Sequence, residues 1–354
     1  METVDGLIYK DDKAACSFKS NHGDADNSKK TLILTGSVVV KAVNPAATLT
    51  CDQLIYYGAR KFFRAIGHPR ILGTMGMVGT LDEVWATPDL REIASPEMFD
   101  QPMKTLSPLP IEHKWDPAQS QSWTDGKGLE AIFKRFKMVE DLKLIRNFDL
   151  AKAVSIVSTK QGLTLTSDTA HFVAIPDPKD KKSYLVQHAT VAGHVTILKT
   201  VTSPQGAKTT QIEGAKGDYS SNPLESVVRM SGKTKIESIG GAKQPTLVAT
   251  GSSGIATLEP LKETSANNSL RKATLEGPVD LVLTQVDSKT HKSTTVHATS
   301  DRMTLANKGG GQVITLLGNV HVSSDALIEI AGTKKAVLTV DKAGALRIDT
   351  SEKP

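Results

Sequence analysis

Aromatic residues are scarce in this chain: eight Phe, five Tyr and three Trp among 354 residues. A core must therefore rest on Val, Ile, Leu and Thr, side chains that favour strands. Cysteine is scarcer. Two thiols cannot staple a disulfide scaffold, and Cys16 and Cys51 lack the spacing of a zinc site. No apolar run approaches the roughly 20 residues that cross a bilayer as a helix. The first residues, Met1-Glu2-Thr3-Val4-Asp5-Gly6, carry neither the basic nor the apolar region of a signal peptide. Lys13-Ala14-Ala15-Cys16 ends like a lipoprotein cleavage site but lacks the preceding apolar stretch, and reads as ordinary strand.

A dominant charge is missing too. Lys and Arg number 43 against 38 Asp and Glu, scattered rather than gathered in a stripe with aromatics between them, so no nucleic-acid partner is expected. The densest run, Lys179-Asp180-Lys181-Lys182, follows Pro176 and Pro178 and reads as a solvated turn. With 39% hydrophobic and 23% charged residues, the composition is globular rather than disordered. Helical periodicity is nearly absent. Its clearest instance is 128–146, where Leu129, Ile132, Phe133, Phe136, Val139 and Leu142 fall at three- and four-residue steps. From Phe136 onward, alternation fits a strand equally well.

What the chain does contain is a repeat. A glycine followed two and four residues later by an apolar or β-branched side chain occurs six times, led by Gly36, Gly67, Gly193, Gly232, Gly277 and Gly318. Several copies are preceded by a second element, an acidic or small residue opening another alternating run. Examples are Asp52-Gln-Leu54-Ile-Tyr56, Asp168-Thr-Ala170-His-Phe172 and Asp301-Arg-Met303-Thr-Leu305, with Ala215-Lys-Gly-Asp-Tyr219 as a variant. Intervals of 31, 39, 45 and 41 residues between successive glycines mark a stacked strand architecture. The long interval from Gly67 to Gly193 holds all three tryptophans and the prolines Pro96, Pro102, Pro108, Pro110 and Pro117. The expected organisation is a strand block at 1–81, a Pro- and Trp-containing insertion or linker at 82–130 with loop or helix, and a second strand block at 131–354. In that scheme the tryptophans stand outside the core.

Side chains alternate faces along a strand, so positions at +2 and +4 share one face. The inner apolar face is therefore expected to comprise Val38, Val40, Leu54, Tyr56, Ile71, Phe172, Val195, Ile197, Ile236, Val279, Leu281, Met303, Leu305, Val320 and Val322. Opposite positions often carry Lys, His, Thr or Arg, as contact with water requires.

The paired elements resemble the OstA-like (organic-solvent-tolerance) domain family of periplasmic lipopolysaccharide-transport bridge proteins, LptA/LptC. The resemblance is best in His297-Ala-Thr-Ser-Asp-Arg-Met-Thr-Leu305 followed by Val313-Ile-Thr-Leu-Leu-Gly-Asn-Val-His-Val322, and next in Leu49-Thr-Cys-Asp-Gln-Leu-Ile-Tyr-Tyr57. It touches roughly residues 14–80 and 150–350, and its weight lies in recurrence of short motifs. It implies an antiparallel double sheet, an open jelly roll called a β-taco, whose interior holds the acyl chains of lipopolysaccharide. It further implies a periplasmic location and edge-to-edge pairing with other OstA-like transport components or with further copies of the chain.

Signatures of catalysis are lacking. Gly232-Lys233-Thr234 ends like a phosphate-binding loop, but Val227 stands where the earlier glycine belongs. Gly73-Thr-Met-Gly76-Met-Val-Gly79 is not a dinucleotide fingerprint. No histidine has an H-E-x-x-H partner, although His188 and His194 leave a chance metal pair open, and Gly251-Ser-Ser-Gly254 lacks the nucleophile-elbow spacing. For Cys16 and Cys51 two readings stand, a disulfide and two small core residues. The expected function is non-enzymatic and cofactor-free: carriage of lipopolysaccharide or another acylated glycolipid. The alternative is a self-assembling β-scaffold without lipid cargo.

Overall fold

The computed structural model describes residues 3–10, 12–73, 76–79, 82–99, 120–203, 206–239, 246–258, 270–286, 293–308, 311–325, 329–341 and 345–350. Among them there is no α-helix, and one 3₁₀ turn lies at Pro96–Met98. The fold is all-β and antiparallel, as the β-branched composition implies. It divides into two compact units, residues 1–158 with 169–186 and residues 159–168 with 187–354.

The first unit holds β1 (Val4–Lys10), β2 (Lys13–Ser20), β3 (His22–Asp26), β4 (Thr31–Ala42), β5 (Ala47–Tyr57), β6 (Phe62–Ile66) and β7 (Arg70–Gly73). They are followed by β8 (Gly76–Gly79), β9 (Glu83–Ala86), β10 (Glu92–Ala94), β11 (Gln121–Thr124), β12 (Leu129–Phe133), β13 (Arg135–Glu140) and β14 (Arg146–Ser158). Many are halves of longer strands. β2 and β3 both face β4, β6 and β7 both face β5, and β12 and β13 both face β14. β15 (Leu163–Asp177) and β16 (Asp180–Ser203) contribute residues to both units. The second unit continues with β17 (Gly206–Ser221), β18 (Ser226–Ile239), β19 (Thr246–Leu258), β20 (Leu270–Val286), β21 (Ser293–Lys308), β22 (Gly311–Ser324), β23 (Glu329–Val340) and β24 (Leu346–Thr350), each paired with the next.

Each long strand is broken at mid-length by a bulge, and the recurring glycines sit there. All six have left-handed backbone, with φ from +71° at Gly318 to +85° at Gly277. At Gly193 the reason is steric: a Cβ would lie 2.1 Å from Asp168 Oδ2 on the preceding repeat element. Gly318 meets Asp301 in the same way, at 2.3 Å. The bulge also shifts register. Ala192 lies opposite Lys216 while Val195 lies opposite Gly214, three steps on β16 against two on β17. The inner positions are consequently four apart on glycine-bearing strands, as in Val191 to Val195 and Leu316 to Val320. On their partners they are three apart, as in Ser300 to Met303. The two halves of each strand, here called arms, thus bury the same face.

Three sequence expectations change. The 128–146 segment is β12 and β13, not helix: Leu129, Ala131 and Phe133 are buried, then Phe136 and Met138, while Ile132 and Leu142 are exposed. A parity slip at Lys134 puts a three-residue step between buried Phe133 and Phe136, and that step imitates helical spacing. Within 82–130, Glu83–Ala86, Glu92–Ala94 and Gln121–Thr124 are rungs of the sheet, with β10 paired to β9 and β13 and β11 paired to β8 and β12. Residues 100–119 of that stretch lie outside the described residues. Trp85 and Trp123 are core, each 1% exposed, because short strands bring them against Phe62 and Phe148; Trp115 lies outside the described residues.

Gly193→Ala should destabilise the chain by about 2–3 kcal/mol, combining left-handed strain with collision against Asp168. Gly126 provides the comparison, having φ +67° and nothing within 4 Å of the place a Cβ would take. Gly126→Ala should cost only about 1 kcal/mol. Urea midpoints of the two variants measure this, and equal costs would show that the aspartate contact is unimportant.

Candidate functional site

Of the fifteen expected inner-face residues, fourteen are at most 2% exposed, and Tyr56 is half-buried against Phe63 at 5.4 Å. They do not form one set. Val38, Val40, Leu54, Tyr56, Ile71 and Phe172 lie in the first unit and the other nine in the second. The units also differ in what fills them. Among the described residues every Phe and Trp, and every Tyr except Tyr219, belongs to the first unit.

The first unit is packed with rings and ion pairs. Phe62 stacks between Trp85 at 5.1 Å and Tyr57 at 4.9 Å, with Phe99 at 5.5 Å, and Phe148 stacks on Phe172 at 4.2 Å. Buried Arg64 donates twice to Glu83, at 2.5 and 3.1 Å, and Trp85 Nε1 donates to the same carboxylate at 2.7 Å. Buried Arg146 donates to Glu140 at 3.0 Å and lies 3.6 Å from the Tyr184 ring centre and 5.6 Å from that of Trp123. Burial pulls Arg146 below the usual guanidinium range, with Tyr184 and Glu140 opposing.

The turn ends of the two arms in this unit are clasped. Lys10, beside the β1–β2 turn, donates to Asp89 at 2.6 Å in the β9–β10 turn, and Arg91 reaches Asn44 at 3.3 Å in the β4–β5 turn. The Tyr184 amide donates to Asp125 at 2.9 Å. Burial alone would raise the Asp89 carboxyl, but hydrogen bonds from Lys10 and Thr87 and the Lys10 charge hold it below its ordinary value.

The second unit presents Val, Ile, Leu, Met and Ala on the same face, with Tyr219 its one ring among the described residues. Two cations interrupt it, as do uncharged polar side chains such as Thr210, Thr234, Gln285 and Ser300. Lys199 is 1% exposed and donates to the Gln161 carbonyl, and Lys208 is 4% exposed on the adjacent strand. Burial pulls Lys199 down to about 8. The motif rule reaches these positions only indirectly. Lys199 stands at +6 from Gly193, on the parity of Val195, Ile197 and Val201, and alternation alone could have found it.

The remaining candidates resolve simply. Cys16 lies opposite Ala42 and Cys51 opposite Val38, on the two strands flanking β4. Their Cα atoms are therefore on the order of 16 Å apart, too far for a disulfide. Both thiols are buried, and burial pushes each up to about 12. His188 meets Asp218 and His194 meets Asp168, each at 2.9 Å, so the two histidines have separate partners. His68 repeats the pattern on Asp52 at 3.1 Å, and Asn319 on Asp301 at 2.9 Å. In the His68, His194 and Asn319 pairs, the residue after the bend glycine ties down the aspartate that the glycine accommodates.

The Lys199 shift has a testable sign. Its folded value lies below the ~10.4 of an unfolded lysine, so the unfolded chain binds more protons between pH 8 and 10 and stability rises with pH there. Cys16 and Cys51 act oppositely, losing stability as pH climbs past about 8.5. Comparison with Lys199→Met isolates the lysine. The wild type should gain on the variant by on the order of 2–3 kcal/mol from pH 7 to 10 in urea denaturation, whereas a pH-independent difference would mean that Lys199 is solvated.

No protein-family model matches the chain, and no curated protein matches it.

Proposed function

We propose that the chain is a non-enzymatic carrier of acylated lipid of the OstA-like kind, working in the periplasm on the route of lipopolysaccharide to the outer membrane. In this reading each unit folds its sheet over at the bends into an open jelly roll, a β-taco, and acyl chains lie between the arms of the second unit. One observation carries it: the inner face of that unit is mostly aliphatic, with a single aromatic ring, whereas the first is filled with stacked rings and clasped at its turns.

Because the inner residues are already buried, cargo enters by parting the arms. Each Å² of apolar surface exposed costs about 25 cal/mol, and an acyl chain that re-covers it returns a similar amount. The exchange is close to neutral in area. Parting is easier where aliphatic side chains meet than where rings stack and the turn ends are clasped. β1 and β24 each have one strand partner among the described residues, so their outer edges can add main-chain hydrogen bonds to another sheet. Directional work comes from such a partner.

The near-complete burial of the same residues favours a second reading, a self-assembling β-scaffold whose interior is simply core. Native mass spectrometry of the protein purified from a diderm bacterial host separates the two. The carrier should retain masses of acylated glycolipid, whereas a lipid-free ladder of oligomers would establish the scaffold. Val195→Asp is a poor test, since an unpaired carboxylate at a 2% exposed position would damage the fold itself.

A further inference from the structure

We infer that Lys199, with Lys208 beside it, receives the phosphate monoester head of the lipid carried by the second unit; this rests on the carrier reading above. Lys199 shares the inner face with Val195, Ile197 and Val201 and is as buried as they are. Its ammonium is turned toward the loop end of the arm, where it donates to the Gln161 carbonyl in the turn between β14 and β15. The same turn is held to β16 by the Thr200 amide, which donates to Gly162 O at 2.8 Å. The charge therefore stands where acyl chains lying along the face would end and a head group would begin.

Lys208 completes a pair. Thr210 lies opposite Lys199 and Lys208 lies opposite Val201, so the two lysines are diagonal neighbours on adjoining strands. Such positions are roughly 7–8 Å apart, close enough for both long side chains to touch one dianionic group. A phosphate monoester carries about −1.5 to −2 at pH 7 and offers three acceptor oxygens.

Elsewhere this protein balances a buried cation with a carboxylate: Arg64 has Glu83 and Arg146 has Glu140. Lys199 is treated differently. Burial is what moves its titration, with no carboxylate among the described residues offsetting it, and a single carbonyl satisfies one of its three donors. A buried ammonium held that way is costly in an aliphatic setting. A methionine of similar length would fill the space without the penalty. An arriving phosphate supplies the missing counter-charge.

The test uses the full chain with fluorescent dioleoyl phosphatidic acid, dioleoylglycerol of the same chains, and inorganic phosphate as competitor. The wild type should bind phosphatidic acid about tenfold or more tightly than dioleoylglycerol, as a hydrogen bond to a charged group implies. Lys199→Met should bring that ratio near one with dioleoylglycerol binding unchanged, and Lys199→Arg should keep most of the preference. Circular dichroism and the urea midpoint establish that the variants are folded, and Lys208→Met, with a smaller loss of preference, gives an independent reading. An unchanged ratio in Lys199→Met overturns the inference and leaves the carrier reading standing. Binding of neither lipid by the wild type overturns the carrier reading and this inference with it. Displacement of phosphatidic acid by micromolar inorganic phosphate would make the site one for the free anion, against a lipid head group.

Discussion

The bend at mid-strand, where a left-handed glycine gives way to a side chain from the neighbouring strand, is the contact on which the rest of the structure depends. A strand as long as β16, 24 residues from Asp180 to Ser203, would present its face along one long surface if it ran straight. The bulge re-aims it after one extra residue, and the difference between a four-residue and a three-residue step keeps the buried face continuous on both arms. Only glycine fits, because the space of its Cβ is already taken by Asp52, Asp168 or Asp301. The aspartate in turn accepts a hydrogen bond from the next residue, His68, His194 or Asn319, so glycine, polar residue and aspartate act as one unit. That interdependence explains why the two sequence elements recur together.

The two units use the same bend and fill their interiors differently. Stacked rings and two buried arginine–glutamate pairs stiffen neighbouring strands of the first unit, and contacts such as Lys10–Asp89 and Arg91–Asn44 tie the turn ends of its arms together. Aromatic contacts are directional, and parting the arms would break the Lys10–Asp89 and Arg91–Asn44 contacts, so that unit resists opening. The second unit relies on aliphatic packing, which is additive and non-directional and which another hydrocarbon can replace. Its buried charge at Lys199 is placed at the loop end of an arm, on the Gln161 carbonyl.

Much of this was legible in the chain. Left-handed glycine, alternation and a β-branched composition are local properties, and together they located six bends and the buried face, though not the break in β14 at Lys152 and Ala153, whose left-handed backbone carries no glycine. The same local reading misjudged 128–146, because a parity slip at Lys134 places Phe133 and Phe136 three apart as a helix would. It set Trp85 and Trp123 outside the core because prolines surround them, although Gln121–Thr124 lies in register between β8 and β12. It did not reach Lys199, since alternation places a lysine at an inner position without saying what covers it, and the folded chain leaves it 1% exposed.

By itself the sequence determined that the protein is all-β, where its strands bend and which side chains share a face, since each follows from backbone conformation and two-residue periodicity. Tertiary structure alone decided what covers that face. The clasp between Lys10 and Asp89 joins residues 79 apart, and the contact between Arg91 and Asn44 joins residues 47 apart. Such pairings depend on how successive turns are brought together, which no local pattern encodes. For the same reason the scarcity of aromatics, a property of the whole chain when read as composition, proved to be a property of the second unit.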